Sequence, residues 1–136
     1  CWTFFGNLSW MDAEAKEFDS DAGRLVDSPL SRMKPLTAFA AARWEMPRGC
    51  WWAQCEYAWS NHENRLSLRD ESDDRRIPPD GTPGWTILSL RGGFRISERS
   101  SLSIALENIL DENYRYHGSG QNEPGRNLVL GLEIDW

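Results

Sequence analysis

The chain has 136 residues, enough for one ordinary domain, with a net charge of −6 and a pI near 4.9. This acidic balance argues against a nucleic-acid partner, which would favour a basic surface, and no run of about 18 apolar residues indicates a transmembrane helix. Eight tryptophans are an unusual number for this length. The tryptophan ring is apolar except for one N–H group, so it suits a membrane interface, a sugar-binding surface or an aromatic core.

Six segments of the chain alternate between apolar and polar residues with a period of two, which predicts β-strands. They are residues 1–12, 36–46, 50–61, 85–96, 101–110 and 126–136. Each is close to the length of about 9–11 residues with which a tilted strand crosses a membrane. The polar residues of such strands face a lumen, so a low mean hydropathy is compatible with a membrane barrel. The sequence therefore predicts an all-β, antiparallel up-and-down transmembrane barrel, of which about six strands are present.

The connections between these strands alternate in length. Met46-Pro47-Arg48-Gly49 and Ser97-Glu98-Arg99-Ser100 are tight turns, whereas residues 13–35, 62–84 and 111–125 are long and polar. Compact soluble domains seldom carry three such loops, but outer-membrane barrels have short periplasmic turns and long external loops.

Seven tryptophans are predicted to form two belts, one at each end of the strands, as a barrel needs at its two membrane interfaces. The belt near the tight turns contains Trp2, Trp44, Trp51 and Trp136. The belt near the long loops contains Trp10, Trp59 and Trp85. Trp52 is predicted to face the lumen, and Trp85 also has lumen-facing parity.

Two groups of motifs occur in the second half of the chain. ENILDENY at residues 107–114 is followed by HGSG at 117–120 and PGR at 124–126, and RIPPDGTPGW occupies residues 76–85. In combination they resemble the carboxy-terminal end of TonB-dependent outer-membrane receptors. The resemblance covers roughly residues 36–136, with Trp85 in place of a tyrosine and Pro79-Asp80 as a small departure. The matching residues are Arg76, Ile77, Pro78, Gly81, Thr82, Pro83, Gly84, Glu107, Asn108, Asp111, Tyr114, His117, Gly118, Ser119, Gly120, Pro124, Gly125, Arg126 and Trp136.

The resemblance implies energy-dependent uptake of a scarce solute, such as an iron-siderophore chelate or cobalamin, across the outer membrane of a Gram-negative type bacterium. Such receptors have about 22 strands around an amino-terminal plug. We therefore expect residues 1–136 to be the carboxy-terminal part of a longer chain, with the plug absent. The implied partners are membrane lipid, the protein's own plug, the TonB complex, the solute and the barrel assembly machinery. If the last strand is the assembly signal, deletion of Trp136 is expected to reduce membrane insertion of the parent protein, measured as its surface level.

Three residues are candidates for contact with the solute: Arg75, Arg76 and His117. For His117 a structural role in its loop is the stronger interpretation. The charge run at residues 69–76 suits either a divalent-cation site or a solvated loop; it lacks the ligand spacing of a calcium loop, so the solvated loop is favoured. Asn108 and Asp111 are expected to satisfy backbone groups where their strand leaves the sheet.

On the lumen side, a simple register across the Ser97–Ser100 turn predicts that Arg91 lies opposite Glu107. No nucleophile elbow, phosphate loop or metal-ligand cluster is present, so neither an enzyme nor a cofactor is expected. Two alternatives stay open: a passive or structural outer-membrane barrel, and a soluble all-β module that binds carbohydrate through tryptophan.

Overall fold

A computed structural model describes residues 1–47 and 49–136, and Arg48 of the first predicted turn lies outside the described residues. All six predicted strands form, and they make one antiparallel sheet in the order β1-β4-β5-β6-β7-β8. The strands are β1 (Trp2–Ser9), β4 (Thr37–Glu45), β5 (Trp51–Ser60), β6 (Trp85–Ser97), β7 (Ser100–Glu107) and β8 (Asn127–Ile134). Most end one to three residues inside the predicted bounds, and Asn61 and Asn108 directly follow β5 and β7.

The first long connection, predicted only as a long polar loop, contains a second sheet. Strands β2 (Glu14–Asp19) and β3 (Arg24–Pro29) pair as an antiparallel hairpin. Asp19 closes its turn by accepting hydrogen bonds from the backbone of Asp21 and Ala22. A short helix, α1 (Leu68–Glu71), lies in the second long connection. We call residues 10–36, 61–84 and 108–126 loops A, B and C.

The register of the main sheet keeps apolar residues on one face from β1 to β8. One row across the sheet is Phe4, Ala42, Cys55, Leu90, Leu106 and Leu128. Large side chains on this apolar face are open to the surroundings; Leu8, for example, is 71% exposed. Because burying such a side chain is worth about 1.5–3 kcal/mol, this face requires an apolar environment.

Six of the eight tryptophans lie at the two ends of the apolar face, as predicted. The set comprises Trp2, Trp44, Trp51 and Trp136 towards the tight turns and Trp10 and Trp59 towards the loops. Trp136 lies two residues beyond the end of β8 rather than in mid-strand. Trp85 lies at the loop end of β6 on the polar face, as its predicted parity indicates, but it is only 8% exposed and packs against Tyr114 and Tyr116, so its assignment to a belt was wrong.

The buried side chains lie at the loop end of the polar face and beneath the loops. Met33, Ile77 and Trp85 are buried there together with the polar residues Ser67 and Asp70. Among the described residues no helix is long and apolar enough to cross a membrane. Because these buried side chains come from the loops and from the end of β6, the loops have a packed core that rests on the end of the sheet.

Candidate functional site

The polar face of the sheet is divided into two zones along the strands. Towards the tight turns, the alternating positions of β4, β5 and β6 carry charged or amide side chains: Arg43, Glu45, Gln54, Glu56 and Arg91. Towards the loops, the same faces carry mainly apolar side chains: Phe39, Ala41, Ala58, Trp85 and Ile87. The change occurs at a similar level on three adjacent strands, so the loop end of this face is mainly apolar and the turn end is charged.

The charged zone is a continuous network of side chains over four strands. Arg91 binds Glu56 through Nε at 2.9 Å and Glu107 through Nη2 at 2.6 Å. Gln54 donates to Glu56 and accepts a hydrogen bond from Arg43. Arg43 in turn pairs with Glu45 at 2.7 Å. One guanidinium thus balances two carboxylates at the centre of the network.

The predicted contact between Arg91 and Glu107 is confirmed, but the predicted register, with the two residues directly opposite each other, was wrong. Arg91 lies opposite Ala105, and a bulge between Arg95 and Ser97 shifts the pairing of β6 with β7. The bulge adds one residue to β6, which keeps the apolar side chains of both strands on the same face. Glu107 consequently reaches Arg91 diagonally.

Replacement of Arg91 by methionine is expected to leave Glu56 and Glu107 as two carboxylates without their shared cation. Because all three side chains are partly exposed, the expected loss is only about 1–2 kcal/mol. Urea unfolding of the complete protein in lipid measures it. Arg91→Met combined with Glu56→Gln should be less destabilised than the sum of the single variants. Additive losses would contradict the shared-cation network.

The Trp52 side chain covers part of the polar face near the tight turns. A side chain on Gly93 would overlap the Trp52 indole, which shows that the ring lies directly on the backbone of β6. The guanidinium carbon of Arg43 lies over the Trp52 ring, 4.0 Å from the ring centroid. The predicted lumen-facing direction of Trp52 is confirmed, and its ring is held between a glycine and a cation.

The apolar zone ends in a cluster of three rings. The centroid of Trp85 lies 4.8 Å from that of Tyr114 and 5.4 Å from that of Tyr116. Burial raises the pKa of Tyr114, with smaller contributions from Tyr116 and nearby carboxylates. Through this cluster, Tyr114 and Tyr116 of loop C pack on Trp85 at the loop end of β6.

A buried carboxylate joins loop A to loop B. Asp70 is 2% exposed and accepts hydrogen bonds from Ser31 Oγ at 2.7 Å and from the backbone nitrogens of Arg32 and Ser67. Ser67 Oγ accepts from the Asp70 nitrogen in return, which makes a capping box for α1. Burial alone would raise the pKa of Asp70, but the hydrogen bonds from Ser31, Arg32 and Ser67 outweigh it, and the pKa is lowered. The preference for a solvated charge run was therefore wrong at Asp70.

The hairpin provides a second contact between these loops. Glu17 on β2 accepts from Ser28 Oγ at 2.9 Å and from the backbone nitrogen of Leu68 at 3.1 Å. Its carboxylate thus lies at the first turn of α1. Loop A is held to loop B by two carboxylates that both satisfy backbone N–H groups of helix or turn residues.

The three solute-contact candidates lie in different settings. Arg75 is exposed, and Arg76 lies 3.8 Å from Asp73 and packs against Gly120. His117 Nδ1 is hydrogen-bonded to Thr82 Oγ1 at 2.8 Å, so it connects loop C to loop B. Burial lowers the pKa of His117, and its Nε2 is a buried atom without a hydrogen-bond partner among the described residues. The structure thus brings His117 and Thr82 together and leaves Arg75 at the surface.

Loop C is closed by the motif residues at its two ends. The Asn108 side chain donates to the carbonyls of Glu112 and Pro124 and accepts from the nitrogen of Glu112. Asp111 Oδ1 accepts from the nitrogen of Arg126 at 2.8 Å. Both Asn108 and Asp111 have positive φ, the left-handed region that Asn and Asp tolerate best after glycine. The expectation that they satisfy backbone groups is confirmed.

Gly81 is the motif glycine with the clearest steric requirement. Its φ is +87°, and a Cβ there would overlap the backbone carbonyl of Glu63, which pairs with Thr82. Gly23 in the hairpin also has a positive φ, +62°, but open space around it. Gly23→Ala should cost only the left-handed strain of about 1–2 kcal/mol, whereas Gly81→Ala should cost at least about 3 kcal/mol because the backbone must move. Equal losses in denaturant unfolding would refute the overlap.

No group of three or more metal-ligating side chains occurs within residues 1–47 and 49–136.

The larger cavities all lie on the sheet or at its loop end. One of about 440 Å³ is in front of Trp85 and Arg91, and another of about 310 Å³ lies at the loop end of β4 and β5. Loops A and C supply the rim of the smaller cavity.

Two solved structures to which the fold of this chain is similar are a transporter and an import receptor. The copper transporter OprC matches over 98% of this chain with a TM-score of 0.72 and 22% identity, and the match covers 20% of that protein. The ferric-catecholate import receptor Fiu of E. coli K12 matches over 98% of this chain with a TM-score of 0.67 and 15% identity, covering 18% of that protein. No family model and no curated protein matches the chain.

The chain spans about a fifth of the length of each of these transporters. The identities are low, so the comparison concerns the fold. It agrees with the antiparallel sheet described above. The resemblance drawn from the motifs is thereby confirmed at the level of structure: the chain has the fold of a wall segment of a TonB-dependent receptor β-barrel.

Proposed function

We propose that this chain is the carboxy-terminal segment of the barrel of an outer-membrane receptor that takes up a scarce solute with energy from the TonB complex. The observation that carries the proposal is the two-faced sheet: one face is apolar, open and bounded by tryptophans, and the other holds a charged network. The match of 98% of the chain to two transporters supports it. In this proposal the plug and the TonB-contacting segment belong to the part of the parent protein before residue 1.

The inner wall also favours a plugged transporter over a passive pore. A water-filled pore requires a polar lining along its length. Here the loop-side zone carries Phe39, Ile87 and Trp85, and three loops pack over its end. A soluble sugar-binding module is disfavoured because the exposed tryptophans lie at two ends of an apolar sheet face and not on one binding surface.

The proposal is tested in cells that carry the complete gene. The two similar transporters suggest two probes, a ferric catecholate complex and copper, and cobalamin is a third. Uptake of one labelled probe should fall to background when the gene is deleted, and equally when TonB is removed. Uptake that needs the gene but not TonB would indicate a passive barrel. An open reading frame without a plug-sized domain before residue 1 would also overturn the proposal.

A further inference from the structure

The side chain of His117 lies where the three loops meet. Its Nδ1 is hydrogen-bonded to Thr82 Oγ1 of loop B at 2.8 Å. The next residue of loop C, Gly118, packs against loop A, because a Cβ added to it would lie 3.2 Å from Arg32 Cγ. The His117 ring therefore joins loop C to loop B directly beside the contact of loop C with loop A.

The second ring nitrogen of His117 faces the interior of this junction. Nε2 is buried and has no hydrogen-bond partner among the described residues. A neutral histidine carries one ring proton, and on Nδ1 that proton can be donated to Thr82 Oγ1. A charged histidine carries N–H groups on both nitrogens. In the closed loops, protonation thus places a charged donor where no protein group accepts its hydrogen bond, which is costly.

The charged groups around His117 do not remove this cost. Burial lowers the pKa of His117 below its ordinary value of 6.5; the charges of Asp70 and Glu63 act in the opposite direction, and Arg32 acts with burial. Both carboxylates already accept hydrogen bonds from other groups, and neither reaches Nε2. The other titratable side chains at the same cavity are Lys34, Arg115 and Tyr116.

We propose that His117 is a pH-sensitive latch, which holds loop C on loop B when the ring is neutral and releases it when the ring is protonated. In the open loops the ring is solvated, so the open state takes up the proton more readily than the closed state. The latch stabilises the closed loops fully above about pH 6.5, the ordinary pKa of the solvated ring. This stabilisation is lost as the pH falls from there towards the lower pKa of the closed state. The inference concerns the loops themselves and does not require the proposed transport role.

The test is hydrogen exchange in the complete protein in lipid between about pH 7.5 and 5. The amides of Thr82 and Glu123 report on the two sides of the latch, since they donate to carbonyls within loop B and within loop C. One proton is taken up on opening, so the opening constant, corrected for intrinsic exchange, should rise by up to about tenfold per pH unit below 6.5. The amide of Ser67, in the contact between loops A and B, should not change over this range.

Variants at the contact separate titration from packing. His117→Asn keeps a polar group near the position of Nδ1 and should lose most of the pH dependence. His117→Phe keeps a ring without nitrogens; it should open more readily than the parent at pH 7.5 and show equally little pH dependence. Thr82→Val removes the hydrogen-bond partner but not the titrating ring, so the loops should open more readily while the pH dependence remains. His62→Gln changes the exposed histidine of loop B and should leave the pH dependence as in the parent.

The outcomes separate the latch from the proposed function. If opening does not change with pH, or if His117→Asn retains the change, His117 is not the latch, although TonB-dependent uptake can still be intact. If protection instead increases in acid, the charged ring gains a partner in the closed loops and the proposed direction is overturned. If exchange follows the pH as described but no uptake depends on TonB, the latch stands and the transport role is overturned.

Discussion

Replacement of Asp70 by asparagine is expected to weaken the attachment of loop A to loop B. The substitution removes a buried charge that accepts from Ser31, Arg32 and Ser67, and it places an amide NH₂ among these donors. Hydrogen bonds to charged groups are worth about 1.5–3 kcal/mol each, and the variant should lose at least about 3 kcal/mol of local stability. The measurement is hydrogen exchange at the amides of Arg32 and Ser67 in the complete protein.

The matched control is Asp74→Asn, four residues away in the same charge run. Asp74 is exposed, and its change should alter exchange at these amides by less than about 0.5 kcal/mol. Similar effects of the two variants would mean that the charge of the run, and not the buried contact, holds the loops.

The Asp70 contact also sets a pH dependence. Because the pKa of Asp70 is below its ordinary value of 3.8, the contact stabilises the folded loops fully above that value. The stabilisation is lost as the pH falls from there through the lower pKa of the folded state. The free energy of local opening, corrected for intrinsic exchange, should therefore be constant near neutrality and decline only in acid. The decline in acid should be smaller in Asp70→Asn.

Replacement of Asn108 by leucine is expected to be at least as damaging to loop C. Asn108 is 2% exposed, and without its amide the nitrogen of Glu112 and the carbonyls of Glu112 and Pro124 lose their partner. Each buried unsatisfied group costs about 1–3 kcal/mol, and leucine is also strained at a φ of +49°. A total loss of about 3–5 kcal/mol is expected from denaturant unfolding in lipid.

Two further variants separate the causes. Asn108→Gly keeps the positive φ without strain but removes the hydrogen bonds, and should recover only the strain of about 1–2 kcal/mol. Asn113→Leu, at an exposed position whose side chain accepts one bond from Asn122, should have a small effect. Full recovery in Asn108→Gly would show that backbone strain is the cause and that the three hydrogen bonds contribute little.

The six long strands were predictable because their apolar face is continuous. Within residues 126–136, every second side chain from Leu128 onwards is large and apolar, and this period of two indicates a β-strand. The hairpin of β2 and β3 was missed because it has no apolar face: Phe18 and Leu25 pair with each other, yet both are exposed. Its only signal is the turn between Asp19 and Gly23.

The candidate site was predictable where the signal is local. Asn108 and Asp111 stand at a strand end, and the spacing of Ser67 and Asp70 is itself a capping signal that was overlooked in the charge run. The burial of Asp70 was not predictable, because the groups that cover it come from Ser31 and Arg32, 38 or 39 residues away in the chain. The bulge in β6 is equally non-local, since only the pairing of two strands reveals it.

The packing of the three loops has an immunological consequence. An antibody raised against a linear peptide of residues 67–76 would recognise side chains that the folded chain hides, because Asp70 and Ser67 are buried against loop A. Arg69 and Arg75 remain accessible, but Arg69 is presented on the helix α1 and not in an extended strand. Antibodies selected on the folded protein should therefore bind a discontinuous epitope and fail on the denatured chain.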